Sequence, residues 1–181
     1  MTPTDPRDYL KSRLATLAPR FTWPYEPIEL RAALALAFGD LENWERVAPA
    51  TEYGSLEQLP GYTRQPVTFF TRPDLRAFGY WLIPDAPTGR GVLCLPGHGI
   101  GADAVAGVTS DDYQFAFGVQ CVQQGHTTFV LEQISFGHRK DAQAKAVGPG
   151  ASSCSRDAMA AIMLGENLVG WRIWDACRAL D

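Results

Sequence analysis

Two glycine-bearing loops hold most of the residue types able to do chemistry in this sequence. The first, Pro96-Gly97-His98-Gly99-Ile100-Gly101, directly follows the apolar run Gly91–Leu95. Its three glycines permit sharp turns with positive φ and leave backbone N–H groups uncovered by side chains. Uncovered N–H groups at a strand end can stabilise negative charge developing on an oxygen. A tight turn without chemistry is the competing reading. The second loop, Glu132 to Arg139, follows the apolar run Thr127–Leu131. It offers His138 and Arg139 as candidate substrate contacts, with solvated surface charges as the alternative.

Other reactive groups are weaker candidates. Cys94 lies inside an apolar run and reads as a small core residue, and Cys121 and Cys177 read as helix packing. Cys154, near a helix start and Arg156, has the setting closest to that of a reactive thiol. His98 with Asp103, Asp111 or Asp112 has no recognised ligand spacing, so no metal is expected. A dinucleotide fingerprint counted from Gly97 would need glycine where Ala102 stands, so no nucleotide cofactor is expected and a nucleotide-binding domain is the weakest reading.

The elements that must position these loops divide near residue 60. Before it the chain reads as a helical extension. Thr4-Asp5 can cap a helix with Pro6 at its first position, and Leu10, Leu14 and Leu17 recur until Pro19 ends the run. Pro24 and Pro27 argue against a helix in the aromatic stretch from Phe21 to Pro27. Glu29–Phe38 reads as a helix stopped by Gly39. After residue 60, Pro66–Thr71 and Leu75–Ile83 form an expected antiparallel strand pair. Gly91–Leu95 and Thr127–Leu131 read as buried strands separated by a helix over 115–124. Residues 132–150 read as a loop. From about 155 to 181 the chain reads as helical with a break at Gly165. There Val169, Ile173, Ala176, Cys177 and Leu180 fall on an apolar face, and Arg172, Asp175 and Arg178 on a polar one. Two strand–helix units in succession argue for a parallel sheet in an α/β fold.

Composition bounds the function. The 181 residues are 46% apolar and 20% charged, as in a globular protein, and 20 acidic residues outnumber 16 basic ones. A general nucleic-acid binder needs a basic surplus that is missing here. No apolar run approaches the roughly 18 residues of a membrane span, and the first ten residues lack the apolar region of a secretory signal. Four dispersed cysteines suit neither a zinc site nor a disulfide scaffold, so a reduced, cytoplasmic protein is expected.

The order strand–PGHG–helix–strand, then Glu132 through Gly137, then the helix Val169–Asp181 with its WDACRALD ending, resembles the α/β-hydrolase superfamily. More narrowly, it resembles the branch of acetyl xylan esterases and dienelactone-hydrolase-like proteins. The resemblance covers about residues 66–181. It implies an incomplete α/β-hydrolase fold over 61–181, preceded by the extension 1–60. It also implies that His98, Gly99 and Ile100 form an oxyanion loop, with the Ile100 N–H as donor. In that family a G-x-S-x-G elbow carries the nucleophile after the next strand, followed by the acid and then the base. This chain has no such elbow. Gly150-Ala-Ser152-Ser153-Cys154 comes nearest, and there Ser152 or Ser153 reads as a helix cap. His98, His126 and His138 all precede the expected nucleophile, the wrong order for the base.

The expectation is therefore the N-terminal portion of a serine carboxylic-ester hydrolase, inactive alone, with a small ester as substrate. A second chain or the C-terminal half would cover its open sheet edge and the apolar face of its last helix. The alternative is a non-catalytic α/β module that binds a partner or ligand.

Overall fold

The computed structural model describes residues 5–19, 23–39, 41–110, 113 and 115–181. Its contacts divide the chain into two units, 1–36 and 37–181.

In the first unit, helix α1 spans Pro6–Thr16. The Asp5 carboxylate caps it by accepting from the Arg7 N–H at 2.8 Å, and Pro6 sits in the first turn, where it forfeits no helical hydrogen bond. The helix ends three residues before Pro19 and buries no side chain. Helix α2 spans Pro27–Phe38, crosses the division, and stops at Gly39, whose φ is +97°. Thr4, Phe21 and Thr22 lie outside the described residues.

The second unit is built on a six-stranded sheet: β1 (Glu52–Tyr53), β2 (Glu57–Leu59), β3 (Tyr62–Arg72), β4 (Leu75–Pro84), β5 (Gly91–Cys94) and β6 (Thr127–Leu131). Its order is β1-β3-β4-β6-β5, with β2 pairing β3 in line with β1. The β3–β4 hairpin turns through Pro73-Asp74, where Asp74 takes the left-handed conformation that Asp tolerates (φ +60°). Strand β6 pairs antiparallel with β4 and parallel with β5, in register from Gly91↔Thr127 to Cys94↔Val130. The mixed sheet, antiparallel strands leading into one parallel pair, is the expected α/β arrangement, and β5 forms its edge. The short strands β1 and β2 lie in the segment read from the sequence as helical extension. The sequence does carry a signal for β2. Pro60-Gly61 joins Leu59 to its partner Tyr62, with proline before a positive-φ glycine as a tight turn requires.

Helices α3 (Ala102–Val105) and α4 (Phe117–Gln123) cover one face of the sheet. There Tyr80, Leu82, Cys94, Val105, Val122 and Val130 form the main core. On the other face, Val67, Phe69, Ala77 and Leu131 pack against Ala176 and Ala179 of α7 (Leu168–Leu180). The stretch 132–150, read as loop, contains a 3-10 turn at Gly137–Arg139 and helix α5 (Ala142–Val147). Asp141 caps α5 by accepting from the Ala144 N–H at 2.7 Å. Helix α6 (Cys154–Met163) joins α7 through Gly165, at φ +72°, the expected break.

Helix α7 is turned relative to the sequence expectation. Its buried residues are Leu168, Gly170, Trp174, Asp175 and Arg178, which include two of the three residues of the expected polar face. Val169, Cys177 and Leu180, on the expected apolar face, are exposed. Specific partners override the hydrophobic pattern here. The Trp174 indole donates to the Thr71 carbonyl at 2.7 Å, and Asp175 accepts from Arg139. The Phe38 carbonyl lies so close to Gly170 that a Cβ there would overlap it. Asp175 therefore pairs with Arg139 across the fold rather than with Arg172 or Arg178 along the helix. No helix among the described residues is long and apolar enough to cross a membrane.

Candidate functional site

The two loops stand side by side because β5 and β6 are adjacent and parallel, so both carboxyl ends open on the same edge of the sheet. Glu132, the residue after β6, ties them together. It is fully buried, and its carboxylate accepts from the Ala102 N–H at 3.2 and 3.1 Å and from the His138 N–H at 3.3 Å. One carboxylate thus satisfies backbone donors from both loops. Burial pushes the Glu132 carboxyl above its ordinary range, and the two amide hydrogen bonds oppose that rise. Its oxygens leave no room for a side chain at Gly101 or Gly137, both of which have positive φ.

Above Glu132 lies a cluster that the sequence spacing does not reveal. Asp103 Oδ1 accepts from the Tyr80 hydroxyl at 2.7 Å and lies 2.8 Å from His138 Nε2. The His138 ring packs on Phe78, with centroids 4.2 Å apart. Burial would raise the Asp103 carboxyl, but donation from His138 and Tyr80 outweighs it and holds the group below its ordinary value. The same hydrogen bond raises His138 above an ordinary imidazole, against its partial burial. Burial, with help from Asp103, raises the Tyr80 phenol strongly. Asp103 therefore partners His138, not His98. Among the described residues no cluster of three His, Cys, Asp or Glu side chains has the spacing to hold a metal, and Asp111 and Asp112 lie outside them.

The PGHG bend is open on one side. The Gly99 and Ile100 amides donate to no acceptor among the described residues. The Tyr113 hydroxyl donates to the His98 carbonyl at 3.0 Å. His98 itself is exposed, stands edge-on to Phe136 at 5.1 Å, and places Nε2 2.9 Å from Ser152 Oγ. Of the two serines read as a helix cap, Ser153 takes the cap position of α6 and its hydroxyl donates to Asp157 at 2.6 Å. Beside the bend runs a groove of about 610 Å³ lined by Leu95, His98, Phe136, Ile173, Cys177 and Leu180. The outward face of α7 forms one of its walls.

Arg139 does not reach this groove. It is buried, and its Nη1 donates to Asp175 at 2.5 Å and to the Glu132 carbonyl at 3.3 Å. His138, by contrast, has a half-exposed side chain. Cys94 is a core residue whose thiol burial pushes up to about 12, with Cys121 beside it adding to the rise. Cys154 Sγ lies 3.2 Å from Arg172 Nη2, rather than beside Arg156, whose guanidinium is held by Asp141.

No family model matches the chain, and no curated protein matches it. Among solved structures it is similar to a Bacteroides fragilis NCTC 9343 protein provisionally assigned as an acetyl xylan esterase. The TM-score is 0.75 at 20% identity, and the match covers 98% of this chain and 49% of that one. The chain thus spans about half the length of that neighbour and has the fold of a partial esterase-like α/β domain.

Proposed function

We propose that this chain is the N-terminal portion of a serine carboxylic-ester hydrolase that cleaves acetyl or other small esters. The observation that carries the reading is the PGHG bend at the carboxyl end of edge strand β5. Its Gly99 and Ile100 amides are without acceptors among the described residues, and the exposed face of α7 lies alongside. A tetrahedral intermediate places a full negative charge on the former carbonyl oxygen, and preorganised amides stabilise that charge more than the neutral carbonyl of the substrate. The His98-Gly99-Ile100 segment would supply one such donor, the Ile100 N–H. The second donor would be the amide after the nucleophile, outside these residues. In the complete enzyme a serine attacks the ester carbonyl, the alcohol departs, and water releases the acid from the acyl-enzyme. On this reading the half-exposed His138 of the second loop would contact the bound ester.

The edge of β5, unpaired among the described residues, and the outward face of α7 support a companion surface, either the C-terminal half of the domain or a second chain. A small ester as substrate and a cytoplasmic setting belong to the same proposal. The test compares the full product of the parent gene with the 181-residue chain, using p-nitrophenyl acetate with and without a serine-directed phosphonofluoridate. Reagent-sensitive turnover by the full product alone is expected. Turnover by the 181-residue chain overturns its assignment as a non-catalytic half, and turnover by neither overturns the esterase reading.

A further inference from the structure

The geometry points to His138 and Asp103 as positioning residues for the PGHG loop: they form a proton-dependent clasp that sets where the loop's backbone amides sit. Why the loop's position matters rests on the esterase reading. The clasp itself does not.

Asp103 lies in the first turn of α3, three residues after Ile100, so its position and that of the bend are covalently linked. His138 comes from the other loop, 35 positions along the chain. The two loops are held together at two levels. Below, the buried Glu132 carboxylate collects the Ala102 and His138 amides. Above, His138 Nε2 meets Asp103 at 2.8 Å, and Tyr80 on β4 holds that same carboxylate oxygen at 2.7 Å. The lower level is sealed from solvent. The upper one is not, because nearly half of the His138 side chain is exposed and it borders a cavity of about 320 Å³ with Ile100, Gly137 and Lys145. Its proton can therefore exchange with water while its position stays fixed by Phe78.

The charges around the ring give the clasp its direction. Asp103 faces it from α3 and Glu132 from the end of β6, and Lys145 opposes them from α5. Arg64 on β3 and Tyr80 on β4 act through Asp103. Lys140 lines the same cavity, but its amine donates to the carbonyls of Gly148 and Pro149. Protonated, the imidazole is the one cation bonded to Asp103 among the described residues. A neutral ring can still donate from Nε2, but two carboxylates then stand side by side with less to offset them. Loop docking weakens, and the Gly101 and Ala102 amides shift.

The test is a 15N-amide NMR titration of the 181-residue chain from pH 5 to 9, following Gly101 and Ala102 together with the His138 ring. The expected result is a common midpoint above that of an unperturbed imidazole, about 6.5. In Asp103→Asn the midpoint falls. In His138→Gln the amide titration disappears, and in His98→Gln, which removes the imidazole inside the loop, it persists. Loop amides that do not titrate, or a titration that survives His138→Gln and is lost in His98→Gln, overturns the proposal. No step depends on turnover, so a failed esterase assay leaves this result standing, and the reverse is also true.

Discussion

Replacing Asp175 by alanine would leave the Arg139 guanidinium buried without its counter-charge. The two side chains are 2% and 7% exposed, and their contact at 2.5 Å joins α7 to the loop that carries His138. Breaking a buried pair by removing one partner costs about 3–5 kcal/mol, because the remaining charge stays desolvated. For a domain of this size each kcal/mol lowers the melting temperature by about 2–4 °C, so Asp175→Ala is expected to melt roughly 6–20 °C lower. The pair is not ideally satisfied, since Arg139 Nη2 and Asp175 Oδ1 are buried without a hydrogen-bond partner among the described residues. The double variant Arg139→Met/Asp175→Leu removes both charges and forfeits the hydrogen bond to the Glu132 carbonyl, worth about 1 kcal/mol. It is expected to melt within a few degrees of the parent. Circular dichroism melts of the parent, the single variant and the double variant decide the matter. An Asp175→Ala melt within about 2 °C of the parent refutes the reasoning, because water would then already be screening the pair.

Three further expectations follow from the same geometry. Gly170→Ala places a methyl group on the Phe38 carbonyl, which is backbone and cannot rotate away. A loss of about 1–3 kcal/mol or more is expected in urea unfolding, and an unchanged midpoint contradicts the close approach. Gly101→Ala adds a methyl against the Glu132 carboxylate at a backbone φ of +93°. It is expected to lose at least about 1–3 kcal/mol of stability and to speed amide exchange at Ala102, and wild-type exchange there argues against Glu132 as the tie. The raised His138 group contributes stability that is complete below the ordinary histidine value and is lost as pH rises through its folded value. Melts at pH 5.5 and 9 are therefore expected to differ by less in His138→Gln than in the parent, and an equal difference removes His138 from the account.

Much of the framework was legible because local signals and the fold agree. Aromatic and β-branched runs bounded by Pro and Gly identify β3, β4, β5 and β6, and Gly39 and Gly165 end helices as their φ values require. The orientation of α7 was not legible. Its buried face is chosen by partners distant in sequence (the Thr71 carbonyl, Arg139 and the Phe38 backbone), and no period-3.6 pattern contains them. For the site, the proximity of the two loops follows from strand order, whereas the tie that Glu132 makes between them does not. The Asp103–His138–Tyr80 cluster and the contact between His98 and Ser152 do not, because each joins residues 23 to 54 positions apart through the sheet. Arg139 shows the opposite error: a charge on an apparent surface loop has its side chain buried against Asp175.

The proposed function requires the PGHG bend to hold an oxyanion and the nucleophile to lie outside these residues. Intact-mass spectrometry of the 181-residue chain after incubation with excess fluorophosphonate tests this most directly. No stoichiometric adduct is expected. An adduct on Ser152, whose hydroxyl lies 2.9 Å from His98, would place a working nucleophile inside the chain and contradict the account.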